Sequence, residues 1–367
     1  MKFSFDRDAL LKEISIAQEI IATKNNISIL SNVLLSADNG SLTIRATDIK
    51  VNFETRIPVD VQEGGSTTVF CDKFMSIISS LPPGEIEFEH NDVKIFIRPA
   101  TKKARFQLKS ISSDKYPEFT VPENLSFFEV PVKDFKEMIN QTVFSVSDDE
   151  TRYFMNGVYM EKVDEKLQLV ATDGRRLAFI SKEFGISIPD FRGVIIPPKI
   201  LSLINRRAHD EGPLAIAVGE KNVFFRFANY EFSSVLIEGQ FPNYSRVIPE
   251  SQEHSFEVDT KDMVEALKRV ALLVEQKSRR IYMTVGPGSL TISSQETEIG
   301  TAREEIPCRY DGEEITIALN YLYMEEPLKV IGSERVCFEF TESMKAVTLK
   351  AEPAKDFFHI IMPMQME

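Results

Sequence analysis

Cysteine, histidine and long apolar runs are all scarce in this sequence, and each scarcity removes a class of protein. The three cysteines, Cys71, Cys308 and Cys337, are odd in number and far apart, with no CxxC pair. That excludes a disulfide framework or a zinc ribbon and points to a reducing compartment. The four histidines, His90, His209, His254 and His359, share no ligand spacing, so no metal site of the usual His/Cys type is expected. No apolar stretch approaches the ~20 residues that span a bilayer. The opening, MKFSFDRDALLKEI, meets Asp6, Arg7 and Asp8 before any apolar run develops, unlike a signal peptide. These readings predict a soluble, cytoplasmic protein without a membrane partner. Basic residues are outnumbered as well: 43 Lys plus Arg face 56 Asp plus Glu, a net charge of −13. Net acidity argues against a protein coated in nucleic acid but leaves room for a locally basic face. Signature motifs of catalysis are also missing. There is no GxxxxGKS/T phosphate loop, no GxGxxG after a strand and no HExxH, so neither a cofactor nor an enzyme is expected.

What the sequence does have is a threefold internal repeat. At 367 residues it has room for two or three domains, and 43% hydrophobic content supplies ample core. Three segments share one opening: FSFDRDALLKEI from Phe3, FEVPVKDFKEMI from Phe128 and FEVDTKDMVEAL from Phe256. Each reads as a short alternating strand, a turn, then apolar positions at helical spacing. SLTIRATD (Ser41 to Asp48) matches KLQLVATD (Lys166 to Asp173), and SLTISSQE (Ser289 to Glu296) is a weaker third copy. A second helix-like segment follows each, from Phe70, Ile196 and Ile317, and each copy closes in alternating strands. The copies fall at 1–122, 127–249 and 254–367, with Pro-containing junctions near 115–126 and 241–254 that read as extended connectors. Asp38-Asn39-Gly40 and Pro287-Gly288 read as hairpin turns. The class predicted is α+β, with helices on one face of antiparallel sheets.

Asp48 and Asp173 occupy equivalent places and could be taken for a metal-binding pair. An Asx turn at a strand end is the reading preferred, since Asp173-Gly174 is a strong turn dipeptide. Basic residues recur on the helix-like segments: Lys12, Lys24, Lys73, Lys133, Lys136, Lys199, Arg206, Arg207, Lys261, Lys268 and Arg269. Pointed one way by the repeat, they would add into a surface suited to duplex phosphates without base reading. The first copy ends in basic TKKARFQLK, while the third carries acidic QETEIGTAREE and the apolar pair Leu272 and Leu273. Such opposite ends suit a head-to-tail contact, which closes into a ring when the rotation allows.

With those features in hand, the sequence resembles the bacterial DNA sliding clamp family, the beta subunit of DNA polymerase III. The resemblance covers the whole chain. Its landmarks are the MKF start, ATDGRRLA at 171–178, FPNYSRVIP at 241–249 and the terminal IMPM ending at Met364. It implies three clamp (processivity-fold) domains per chain and a head-to-tail homodimer forming a six-domain ring, helices inside and sheets outside. It also implies a function: encircling double-stranded DNA and tethering the replicative polymerase. The partners implied are duplex DNA, the replicative DNA polymerase, the clamp loader, and other polymerases and repair proteins carrying clamp-binding peptides with a Gln and spaced Leu or Phe.

The peptide pocket implied, between the second and third copies, uses Met155, Thr172, Gly174, Arg175, Arg176, Leu177, Pro242, Arg246, Val247, Ile360, Met362, Pro363 and Met364. Methionine suits a site that adapts to varied apolar ligands. DNA contacts implied are Lys24, Lys73, Arg152, Tyr153 and Phe154. Dimer contacts implied are Phe74, Arg105, Phe106, Leu108, Leu272, Leu273, Glu298 and Glu304. The sequence departs from the family pattern at Arg175, where many relatives carry His, and at Gln365 to Glu367, which replace a common terminal Arg-Leu. Asp148, Asp149 and Glu150 precede Arg152, and carboxylates there would repel phosphates. Two alternatives remain at this stage: a clamp-fold scaffold that binds peptides without loading on DNA, and an enzyme using Asp48 and Asp173 for metal-assisted phosphoryl chemistry.

Overall fold

The computed structural model describes residues 1–21, 29–118, 122 and 124–366. The repeat is visible in the element order. The first copy runs β1 (Lys2–Asp6), α1 (Arg7–Ile20), β2 (Asn32–Asp38), β3 (Ser41–Thr47), β4 (Val51–Pro58), β5 (Asp60–Glu63), β6 (Gly65–Phe70), α2 (Cys71–Ser80), β7 (Glu85–Asn91), β8 (Lys94–Pro99) and β9 (Phe106–Ile111). The second runs β10 (Phe128–Pro131), α3 (Val132–Thr142), β11 (Val158–Val163), β12 (Lys166–Thr172), β13 (Arg176–Glu183), β14 (Val194–Ile196), α4 (Pro198–Arg207), β15 (Pro213–Val218), β16 (Asn222–Phe227) and β17 (Tyr230–Val235). The third runs β18 (His254–Asp259), α5 (Thr260–Val270), β19 (Arg280–Gly286), β20 (Ser289–Ser294), β21 (Arg303–Pro307), β22 (Ile315–Asn320), α6 (Tyr321–Val330), β23 (Arg335–Phe340), β24 (Val347–Glu352) and β25 (Phe357–Ile361).

Local chemistry sets these boundaries. Asp6 starts α1 by accepting from the Asp8 and Ala9 amides, both at 3.0 Å. Asp259 starts α5 the same way through the Lys261 and Asp262 amides at 2.9 and 3.0 Å; a cap of this kind contributes ~1 kcal/mol. Pro198 opens α4, where a missing N–H is harmless. Helix α5 buries Met263, Ala266, Leu267 and Val270, the i, i+3, i+4, i+7 stripe of a half-covered helix. In α1 the stripe is Leu10, Ile14 and Ala17, packed on α2 and β3. Each fully buried Leu or Ile contributes roughly 1.5–3 kcal/mol. Asn39 and Gly40 both have positive φ (45° and 74°) between β2 and β3, as the expected two-residue hairpin requires.

Two expectations need correction. Residues 317–320 belong to β22, and the third copy's second helix begins only at Tyr321. The connector near 241–254 is not simply extended: Tyr244–Val247 form a 3-10 turn, and Phe241 is buried in an apolar cluster.

The chain divides into two compact units, Met1–Lys133 with Arg206–Leu236 and Asp134–Asn205 with Ile237–Glu367. These units do not coincide with the sequence copies, because sheets run across copy boundaries. In the first unit β10 and β15–β17 join β1–β9 in one 13-stranded sheet, through antiparallel β17–β4 pairing with Phe232 opposite Phe53. In the second unit an eight-stranded sheet is joined through antiparallel β13–β25 pairing, with Leu177 opposite Ile360. Strands β19–β22 form a separate four-stranded sheet with β21 at one edge. At the other end of the repeat, β9 pairs along β8 but meets β6 only at Ser110 and Ile111.

Candidate functional site

The site grows from one tight turn in the second unit. β12 ends at Thr172 and β13 begins at Arg176. Between them Gly174 takes φ +87°, a left-handed step that suits a residue without a Cβ. Asp173 accepts from the Arg175 and Arg176 amides at 2.9 and 3.1 Å. Thr172 Oγ1 accepts from the Gly174 amide at 3.0 Å and donates to the Arg176 carbonyl at 2.5 Å. Asp48 does the same job after β3, accepting from the Lys50 and Val51 amides at 3.0 and 2.7 Å. Both aspartates are therefore committed to Asx turns. Among the described residues no His, Cys, Asp and Glu cluster could hold a metal ion.

The turn aims two arginines differently. Arg176 is drawn in: it pairs with Asp173 at 3.1 Å and with Glu326, donates to the Phe144 carbonyl at 2.6 Å, and lies 4.5 Å over the Tyr323 ring. Its side chain is only 10% exposed, so it is a cross-link that also borders the pocket. Arg175 stays exposed. Beside the turn, Met155, Leu177 and Ile360 are buried. They form with Thr172, Gly174, Pro242, Asn243, Tyr244, Val247 and Met362 the lining of a cavity of about 130 Å³. Tyr159 stacks on Phe241 at 4.8 Å behind it, and Tyr244 donates to Glu161 at 2.5 Å. Burial and the Glu161 carboxylate push the Tyr244 phenol above its usual range, which keeps it a neutral donor. Half-exposed Val247 and Met362 make the rim.

Past Met362 the chain lines a second, larger cleft of about 570 Å³ with Pro363, Met364, Arg175, Tyr323 and the Gln276–Arg280 segment. The Met362 and Met364 amides anchor it, donating to the Arg175 and Ala318 carbonyls at 2.9 and 2.8 Å. Of the pocket residues expected from sequence, Arg246 alone lines neither the cavity nor the cleft. Asn243 and Tyr244 were missed, although they lie inside the FPNYSRVIP landmark. The shape and apolar lining fit binding of a short adaptable ligand, not bond-making chemistry.

Three family profiles match this chain, all described as domains of the DNA polymerase III beta subunit: N-terminal over residues 1–120, central over 129–243 and C-terminal over 245–365. The chain belongs to that family. It is 53% identical to the beta sliding clamp of Treponema pallidum and 30% identical to that of Escherichia coli, in each case over all of both chains. Among solved structures, the Pseudomonas aeruginosa DNA polymerase III subunit beta superposes with a TM-score of 0.93 at 29% identity, and the Bacillus subtilis sliding clamp with 0.94 at 27%. Both superpositions cover all of both chains. The fold is thus three clamp domains in one chain.

The remaining sequence-selected residues are scattered more widely. Lys24 lies outside the described residues. Lys73 is exposed on α2, 3.8 Å from Asp72. Arg152 pairs with Asp149 at 2.8 Å. The Asp149 carboxylate also accepts from Thr151, and these bonds hold it at a pKa of about 2; it is a helix cap as much as a local repellent. Tyr153 is half exposed, whereas Phe154 packs against the apolar cluster behind the pocket.

Several helix-borne cations are also tied down. Arg206 and Arg207 both pair with Glu19, and Arg269 grips Glu304 through two bonds of 2.9 and 2.6 Å. Those three are weaker candidates for phosphate contact than charge counting implied. Phe74 requires outright correction: it is completely buried, edge-on to Phe88 at 5.9 Å, so it is a core residue and cannot touch a partner chain. Phe106 and Leu108 are partly covered on β9, with Arg105 exposed and lying 4.0 Å over Phe96. Leu272 and Ile299 are 81% and 87% exposed. Leu273 is close by, since a Cβ added at Gly300 would meet it at 3.9 Å. Glu298 is exposed in the same loop. Ile299 does not stand out in the sequence because it sits within a predominantly acidic stretch.

Proposed function

We propose that two copies of this chain close head to tail into a ring. The ring encircles duplex DNA without reading its sequence and tethers the replicative polymerase, as a non-catalytic subunit. Full-length kinship with beta sliding clamps carries this reading. The repeat supports the closure. Inside the chain, neighbouring copies join by pairing one copy's strand with the next copy's last strand, β4 with β17 and β13 with β25. The same rule leaves β21 of one chain for β9 of another. Leu272, Leu273 and Ile299 beside β21 would meet Phe106 and Leu108, and Arg105 would meet Glu298. Exposed apolar residues at an open strand edge are what such a contact would cover.

The domains are taken as 1–122, 127–249 and 254–367. The cavity lined by Met155, Leu177, Val247, Ile360 and Met362 receives apolar side chains of partner peptides, from polymerases, the clamp loader and repair proteins. Lys24, Lys73, Arg152 and Tyr153 contact the duplex backbone. A ring is held by topology, so weak phosphate contacts that permit sliding suffice, and the acidic exterior discourages stray binding. The working compartment is the cytoplasm, where bacterial DNA lies. The test is to load the protein with its loader and ATP onto nicked circular DNA, raise the salt, then linearise the circle. A clamp stays on the circle and leaves cut ends; a peptide-binding scaffold shows no difference between the two.

A further inference from the structure

One wall of the apolar cavity, formed by Pro242, Asn243, Tyr244 and Val247, hangs on side chains rather than on backbone. Among the described residues, no backbone hydrogen bond ties 238–251 to a strand, and Asn243 gives the 3-10 turn no side-chain cap. The polar bond that reaches from this stretch to the sheet is made by the Tyr244 hydroxyl. It donates to Glu161 Oε1 on β11 at 2.5 Å, and Gln168 Oε1 on β12 lies 3.0 Å from it. Glu161 and Gln168 face each other across the β11–β12 ladder, so backbone pairing sets where these acceptors stand. The other Glu161 oxygen, Oε2, accepts from the Tyr159 hydroxyl at 3.3 Å. Tyr159 stacks on Phe241 at 4.8 Å, and a Cβ added at Gly193 would collide with its hydroxyl. Burial and the Glu161 charge raise both phenols above their ordinary range, so two protonated donors converge on one carboxylate. Hydrogen bonds to an ionised acceptor are roughly twice as strong as neutral ones.

We propose that Glu161, which lines neither the cavity nor the cleft, is a positioning residue for ligand binding. Through Tyr244 it holds the 242–247 wall at the distance from Leu177 and Ile360 that an apolar side chain of a partner peptide fills. This rests on the peptide-pocket reading and adds to it the residue that sets the width of the pocket. A wall without backbone bonds to the sheet would otherwise be ordered only at binding, and the carboxylate removes that cost in advance. A purely structural role fits less well, because apolar packing already closes the core behind the wall. Phe179 stacks on Phe358 at 4.8 Å, and Val170, Leu177 and Phe241 are buried together.

The experiment uses the full-length protein and two peptides: one with a Gln and spaced Leu and Phe residues, and the same peptide with its Leu replaced by Ala. Titration calorimetry gives both affinities, and their ratio reports how closely the cavity fits the Leu. Glu161→Ala should bind the Leu peptide about fivefold more weakly and bring the ratio nearer one. Glu161→Gln, which keeps an acceptor for Tyr244, should recover most of the loss. Tyr244→Phe should reproduce the Glu161→Ala effect, and the two changes together should cost little more than either alone. Lower stability by itself leaves the ratio unmoved, because only folded protein binds either peptide. Hydrogen exchange should be faster over 242–248 in Glu161→Ala and near the wild-type rate in Glu161→Gln. Wild-type affinity or exchange in Glu161→Ala, an unmoved ratio, or a Glu161→Gln variant no better than Glu161→Ala overturns the inference while leaving the pocket standing. A wild type that does not distinguish the Leu peptide from the Ala peptide overturns the pocket reading itself.

Discussion

The Met362 amide donates to the Arg175 carbonyl at 2.9 Å, extending by one rung the ladder in which Arg176 faces Ile361. The end of the chain and the turn after β12 are thus locked by backbone, and side chains at both edges of the cavity are positioned by the sheet. Preorganisation of this kind lowers the ordering cost of binding.

The methionines should matter for ligand more than for fold. Met362→Ala with Met364→Ala is expected to weaken a Gln/Leu/Phe peptide by about 1–2 kcal/mol, since Met362 is half exposed and its backbone bonds survive truncation. Isothermal titration measures the loss, and sedimentation should give an unchanged mass; unaltered peptide affinity would contradict the pocket.

Gly174 is the residue the turn can least replace. Gly174→Ala puts a side chain at φ +87° and within 2.9 Å of Arg152 Nη1. The arginine can swing away, so the cost is mainly conformational, about 1 kcal/mol. Thermal melting should fall by a few degrees, and an unchanged melting point would show that the turn relaxes freely.

Arg176 holds two carboxylates from different elements. Arg176→Met keeps the stem but strands Asp173 and Glu326, and should destabilise by roughly 2–4 kcal/mol. Denaturant titration measures it; removing Glu326 as well, by Glu326→Gln, should recover part of the loss.

His359 makes stability depend on pH. It is buried, its Nε2 lies 3.0 Å from Gln141 Oε1, and its Nδ1 has no partner among the described residues. Burial, aided by the Arg176 charge, lowers its pKa to about 3. The unfolded chain takes up this proton near the usual ~6.5, so stability is full above that value and declines as pH falls from there toward about 3. Melting curves should show the wild type losing more than His359→Gln over that window. Parallel losses would place the sensitivity elsewhere.

Leu273→Asp should give monomers by sedimentation, because enclosing an unpaired carboxylate in an apolar contact costs several kcal/mol. Ile299→Asp should do the same. A dimer surviving both changes would rule out the β21 edge as the joint.

Much of this was legible in the sequence, for reasons particular residues make plain. The openings at Phe3, Phe128 and Phe256 announced three strand–helix starts, because one-sided burial imposes a period on the chain. Asp173-Gly174 announced its turn, because an Asx turn is a local matter of three or four residues. What escaped was decided across space. Phe74 looks like its exposed neighbours until Phe88 covers it. Arg206, Arg207 and Arg269 count as free charge until Glu19 and Glu304 reach them. Tyr244 joins the cavity wall in a 3-10 turn held by its bond to Glu161, which lies far off in the sequence.

Strand β21, unpaired on its outer side, also bears on the life of the lone subunit. A protomer without its mate would present bare amides flanked by Leu272 and Ile299, an invitation to mispairing and protease nicking. In the proposed ring, dilution would therefore endanger the molecule as well as disassemble it, and a partner that pried the hoop apart would have to shelter that rim until it resealed.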